Sequence, residues 1–95
     1  MLHTLAHSPY RTDLDALLRN VGEDDVILLL QDGVTAALVG APGGERLLSS
    51  GATVYALQED VAARGLVDQI STTIVLIDYT EFVQLTALHS RQLAW

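Results

Sequence analysis

The chain contains no cysteine and no lysine. Without a thiol it cannot carry a persulfide or thioester on its own side chains, close a disulfide, or build a thiolate metal site. Without lysine it has no Schiff-base nucleophile, no phosphate-loop lysine and none of the lysine chemistry of a phosphoryl receiver. Positive charge is scarce: five arginines stand against twelve acids, for a formal net charge of -7. That balance repels a phosphate backbone, so no direct nucleic-acid partner is expected. Long apolar runs are also missing, and none approaches the roughly 18 residues of a membrane span. The amino end, M-L-H-T-L-A-H-S-P, has no basic stretch leading into an apolar one. The expectation is a cytoplasmic protein without membrane contact.

What is abundant is apolar sequence: 49% of the 95 residues are hydrophobic and only 18% charged. A chain of this length supports one domain, residues 1–95, that buries about two-thirds of its unfolded surface. So much apolar sequence in so small a domain leaves surface for a partner, and an oligomer is expected.

The organising stretch is Val26 to Leu38, V-I-L-L-L-Q-D-G-V-T-A-A-L. Val26 to Leu30 is a continuous branched run bounded by acids and by Asp-Gly, the pattern of a central parallel strand buried on both faces. Asp32 is placed to cap the helix that follows, and Gly33 permits a tight exit from the strand. Strand, acid-glycine turn and helix make half of a βαβ unit, which predicts an α/β fold: a small, mostly parallel sheet flanked by helices.

Leu2 to Ala6 reads as a first strand stopped by Ser8-Pro9. Thr12 with Asp15 approximates a capping box for a helix whose face is Leu14, Leu17, Leu18 and Val21, with Gly22 as its C-cap. Glu23-Asp24-Asp25 reads as a solvated acid run, since adjacent carboxylates diverge and make a poor metal site. Val34 to Val39 continues as a helix, and Ala41-Pro42-Gly43-Gly44 breaks it as a plain loop without the order of a phosphate-binding one. Thr53 to Leu57 predicts a third strand and Glu59 to Arg64 a short helix closed by Gly65. Thr73 to Ile77 repeats the central-strand pattern and predicts a second interior strand ended by Asp78. Tyr79-Thr80-Glu81 then opens a last helix with a buried stripe of Phe82, Val83, Leu85, Thr86 and Leu88. The closing R-Q-L-A-W predicts a short edge strand whose indole covers the domain or a neighbouring subunit.

Asp32 and Asp78 each end a buried strand, at the sheet edge where α/β proteins build sites. The pair could serve acid-base chemistry, but with no nucleophile or lysine beside them helix capping is the favoured role. His3 and His7 share a strand face yet lie roughly 13 Å apart by strand rise, and His89 has no local companion. No metal and no cofactor are expected. A histidine lining a partner-facing pocket could hold or polarise a partner's thiol.

The segments M-L-H-T-L, L-L-L-Q-D-G-V-T-A-A, V-Y-A-L-Q-E-D-V-A-A-R-G-L, Q-I-S, I-V-L-I-D-Y-T-E-F-V-Q-L-T and the final A-W run the length of the chain. Together they resemble the TusB/DsrH family of sulfur-relay proteins. That resemblance implies a DsrE/DsrF/DsrH-like fold and assembly with TusC-like and TusD-like subunits as a dimer of heterotrimers. The complex would take persulfide sulfur from TusA and hand it to TusE for the 2-thiouridine of the tRNA wobble position. The transferring cysteine then belongs to the TusD-like subunit, and some DsrH members carry a cysteine that this sequence lacks. The expected role is a non-catalytic, structural subunit, with Tyr79, Phe82 and Trp95 as interface anchors. Two other readings stand beside it: a stand-alone hydrolase or lyase using Asp32, Asp78 and a histidine, and a receiver-like domain, for which the acid pair and the lysine are missing.

Overall fold

The computed structural model describes Met1–Trp95. Five strands form one sheet: β1 (Leu2–Leu5), β2 (Val26–Leu29), β3 (Thr53–Leu57), β4 (Val75–Ile77) and β5 (Gln92–Ala94). The order is β4-β3-β2-β1-β5, and every pairing is parallel. The helices are α1 (Leu14–Asn20), α2 (Pro42–Ser49), α3 (Gln58–Ala63) and α4 (Tyr79–Leu88), with 3-10 segments at Pro9–Arg11, Gln31–Ala37 and Val67–Gln69. No helix is long and apolar enough to cross a membrane.

The topology decides which face each helix covers. From β1 to β4 the chain steps one strand at a time in one direction, so right-handed connections all lie on one face. The last connection returns across the sheet to pair β5 with β1, and the same handedness puts α4 on the opposite face. Alternation along β2 feeds both sides. Ile27 and Leu29 join Leu5, Val54 and Ala56 under Leu14, Leu17, Val34, Leu47 and Val61, in a core of 14 buried residues. Leu28 joins Leu2 and Ile77 in a second cluster of only 3, covered by the half-buried Phe82 and Leu85 of α4.

Several sequence expectations are corrected. Thr73 to Ile77 is not an interior strand: β4 is the sheet edge, and Val75 is exposed. The residues 41–44 are not a loop, because Pro42 opens α2 at its first position, where its missing N–H and fixed φ suit a helix. Gly43 and Gly44 are there for close approach. A Cβ on Gly43 would lie 2.8 Å from Pro9 Cβ, and one on Gly44 would lie 1.9 Å from the Ala36 carbonyl oxygen. The segment after β2 winds as a 3-10 helix over Gln31–Ala37 and ends before Val39. Asp13, not Thr12, caps α1 by accepting from the Ala16 amide at 3.0 Å, and Val21 rather than Gly22 is its C-cap. The stripe on α4 is not buried: no residue of that helix is fully covered.

Candidate functional site

At the carboxyl ends of the strands, Asp32 does not cap. The 3-10 segment has Leu30 at its N-cap with no side-chain bond, and the Asp32 carboxylate accepts from Arg64 at 3.0 Å. Gln31 stands in the left-handed region at φ 49, its amide donating to the Asp60 carboxylate at 2.6 Å. No backbone amide donates to the Asp32 carboxylate. Gly33 is fixed by closeness to β1, since a Cβ there would lie 2.0 Å from the Leu5 carbonyl oxygen. Asp78 accepts from the Glu81 amide at 2.8 Å while Glu81 accepts from the Asp78 amide at 3.2 Å, a complete capping box. Neither carboxylate lies within ion-pairing distance of a histidine.

The histidine that matters structurally is His3, which is wholly buried, whereas His7 is exposed and His89 half-buried. The Nε2 of His3 lies 2.9 Å from Asp25 Oδ2, and its Nδ1 accepts from the Trp95 indole at 3.3 Å. Asp25 also accepts from the Gly22 amide at 2.8 Å and from the Met1 ammonium at 2.9 Å. The Gly22 amide, then His3, then the ammonium hold its carboxyl well below the ordinary carboxylate range. Asp25 is therefore no part of a solvated acid run. The pairing Leu2↔Val26 places the residue ahead of β2 beside the start of β1, and that register was the signal that residue-by-residue charge counting misses.

The three proposed anchors do not form one patch. Tyr79 and Phe82 meet edge to face, with ring centroids 5.9 Å apart, beside β4 on the thinly covered face. Trp95 follows β5 at the other edge and packs toward the larger core. Around Tyr79 and Phe82 the thin face is rich in uncovered carbon: Tyr79 is 60% exposed, Val83 49% and Leu88 79%. Between α4 and the sheet runs a shallow groove lined by Tyr55, Ile77, Leu85 and Leu88, with Glu81 and Gln84 at its rim. Val75, in register with Tyr55, extends that surface to the sheet edge. Tyr55 and Val75 were not read from sequence as surface residues, because their alternation fits a covered strand equally well. A larger concavity of about 520 Å³ lies between the segment after β1 and the start of α2, bordered by Tyr10, Val39 and Arg46. Its one cation, Arg46, is already paired with Asp15.

The chain is similar to known proteins in sequence and in fold. The family described as "DsrH like protein" matches residues 7–92. The protein named "Protein TusB" of Pectobacterium parmentieri is 58% identical over 95 residues, covering all of both chains, and so is the "Protein TusB" of Escherichia coli strain K12. Among solved structures, the ychN protein of E. coli superposes with a TM-score of 0.77 at 18% identity, covering 99% of this chain and 97% of its own, a likeness of fold. Protein Tm0979 of Thermotoga maritima does so at 0.68 with 28% identity, covering 96% and 97%.

Proposed function

The chain belongs to the DsrH-like family, and on that premise we propose that it is the non-transferring structural subunit of a Tus-type sulfur-relay complex. In that reading it assembles in the cytoplasm with TusC-like and TusD-like subunits as a dimer of heterotrimers. The complex receives persulfide sulfur from TusA and delivers it to TusE for 2-thiolation of the tRNA wobble uridine. The single observation that carries the assignment of role is the absence of any cysteine, so the sulfur must ride on a partner's thiol.

The contribution of this chain is then shape and exclusion of water. Its apolar face, exposed at Tyr79, Val83, Leu88 and Val75 and half-buried at Phe82 and Tyr55, is the surface offered to a partner subunit. Aromatic anchors ringed by aliphatic side chains suit a desolvated contact. The hydrolase or lyase reading gains nothing from the site, since Asp32 is paired with Arg64 and Asp78 is spent on its own helix.

The test is co-expression with TusC-like and TusD-like subunits and native mass of what forms, for the wild type and for V83E/L88E. The wild type should enter a complex of all three subunits, and the double variant should remain folded but lose assembly by more than about tenfold, as when charge enters an apolar contact. A wild-type chain that stays alone, or a double variant that assembles as well as wild type, overturns the proposal.

A further inference from the structure

The two hydrogen bonds of His3 have fixed polarity. An indole N–H only donates and a carboxylate only accepts. The Nδ1 facing Trp95 must therefore be bare, and the proton of the neutral ring must sit on Nε2, pointing at Asp25. His3 is wholly buried, and the structure gives its ring no other hydrogen-bond partner.

This arrangement has no room for a second proton. Protonation at Nδ1 places an N–H against the Trp95 N–H, 3.3 Å away, and turns an acceptor into a competing donor. At the other nitrogen the same proton converts the Asp25 contact into a full ion pair, so the ring stays while the indole must leave. The element that the indole secures is slight. All three residues of β5 are exposed, and beyond them Trp95 is tied to β1 through its amide to the Thr4 carbonyl at 2.8 Å and the Ala6 amide to its own carbonyl at 3.3 Å.

We infer that His3 and Trp95 form a proton-sensitive latch on the last strand: neutral His3 holds the indole and closes β5 onto β1, and protonated His3 releases it and opens that edge of the sheet. Two charged groups bond at the latch: Asp25 stands ahead of β2 at Nε2, and the Met1 ammonium lies beyond it on the same carboxylate, while the uncharged indole that follows β5 is the ring's other partner.

The chain has one tryptophan, so its emission reports the latch directly. The experiment follows the Trp95 emission maximum, acrylamide quenching and amide exchange at Ala6 from pH 8 to pH 5, with far-UV circular dichroism alongside, for wild type and H3Q. Glutamine can accept from the indole and donate to Asp25 without titrating. The expected result is a one-proton transition in wild type, in which emission shifts to the red, quenching rises and Ala6 exchanges faster while the dichroism stays flat, and no such transition in H3Q. A transition of the same midpoint in H3Q, or a wild-type indole that moves only when the whole fold does, overturns the latch. Should H3Q not fold, ¹⁵N shifts of the wild-type imidazole decide it. A bare Nδ1 at pH 8 that gains its proton together with the emission shift is expected, and a proton already on Nδ1 at pH 8 overturns it.

Discussion

The two faces of this sheet are built from the same strands and finished differently. One carries α1, α2, α3 and the long 3-10 segment over 14 buried residues, and the other carries α4 alone over 3. Both faces receive branched apolar side chains from β2, so the difference is not in the strands but in what the chain has left to cover them with. Four connections are available to a five-stranded sheet, and three are committed to one face by handedness. The single remaining helix leaves Val75, Val83 and Leu88 in water. A face closed by one helix with no fully buried residue keeps more apolar surface in water than the face beneath three helices.

The largest effect that tests this contrast is truncation on either side. Leu17→Ala empties a wholly buried site on the thick face and should lower the stability of the isolated chain by about 3 kcal/mol, a fall of roughly 15 °C in melting temperature for a domain of this size. Leu88→Ala, at 79% exposure, should change it by less than about 0.5 kcal/mol. Thermal melts of the two variants read the difference. Equal losses would mean that α4 is held by the isolated chain as firmly as α1, and the contrast between the faces would be void.

The polar hub at Asp25 adds a charge-dependent fastening near the first strand. Its carboxyl is held below the ordinary value of 3.8 by the Gly22 amide, His3 and the Met1 ammonium. In acid the unfolded chain therefore binds a proton that the folded chain refuses. The stability contributed by Asp25 is present in full above that ordinary value and falls away as pH drops below it. Asp25→Asn should cost about 2 kcal/mol near neutrality, the scale of hydrogen bonds to a charged group. Urea titrations at pH 7 and pH 3 should show the gap between variant and wild type narrowing in acid. A gap that widens there would assign the stability to some other group.

How much of this was legible in the sequence depends on whether a signal is local. The branched run at Val26, the alternation from Thr53, the cap Asp78 and the short closing strand announce themselves through neighbours in sequence. The start of α2 did not, because glycine used for close approach to Pro9 and Ala36 looks the same as glycine used for a turn. The edge position of β4 was hidden since T-I-V-L-I reads alike whether its cover comes from this chain or another. The stripe on α4 misled for the same reason: periodicity records that a face is apolar and not what covers it. Asp25 was unreadable without strand register, which alone brings it to His3 and Met1. The full-length resemblance supplied the family.

The smallest expected effect concerns the elbow where β2 leaves the sheet, on neither face. Gln31 holds φ 49, secured by the bond from its amide to Asp60 and by the Arg64 pair on Asp32 next to it. A left-handed conformation costs a side-chain-bearing residue about 1–2 kcal/mol, while glycine loses about 0.5–1 kcal/mol more conformational entropy on folding. The difference leaves Gln31→Gly about 0.5 kcal/mol more stable in the isolated chain, measurable as a small rise in urea midpoint at unchanged slope. Gln31→Val should move the other way and further, because a branched Cβ is poorly tolerated at that φ. A loss of stability in the glycine variant would mean that the exposed Gln31 side chain earns contacts worth more than the strain. The elbow would then belong with the thick face as a structural element, rather than standing free at the edge where the two faces meet.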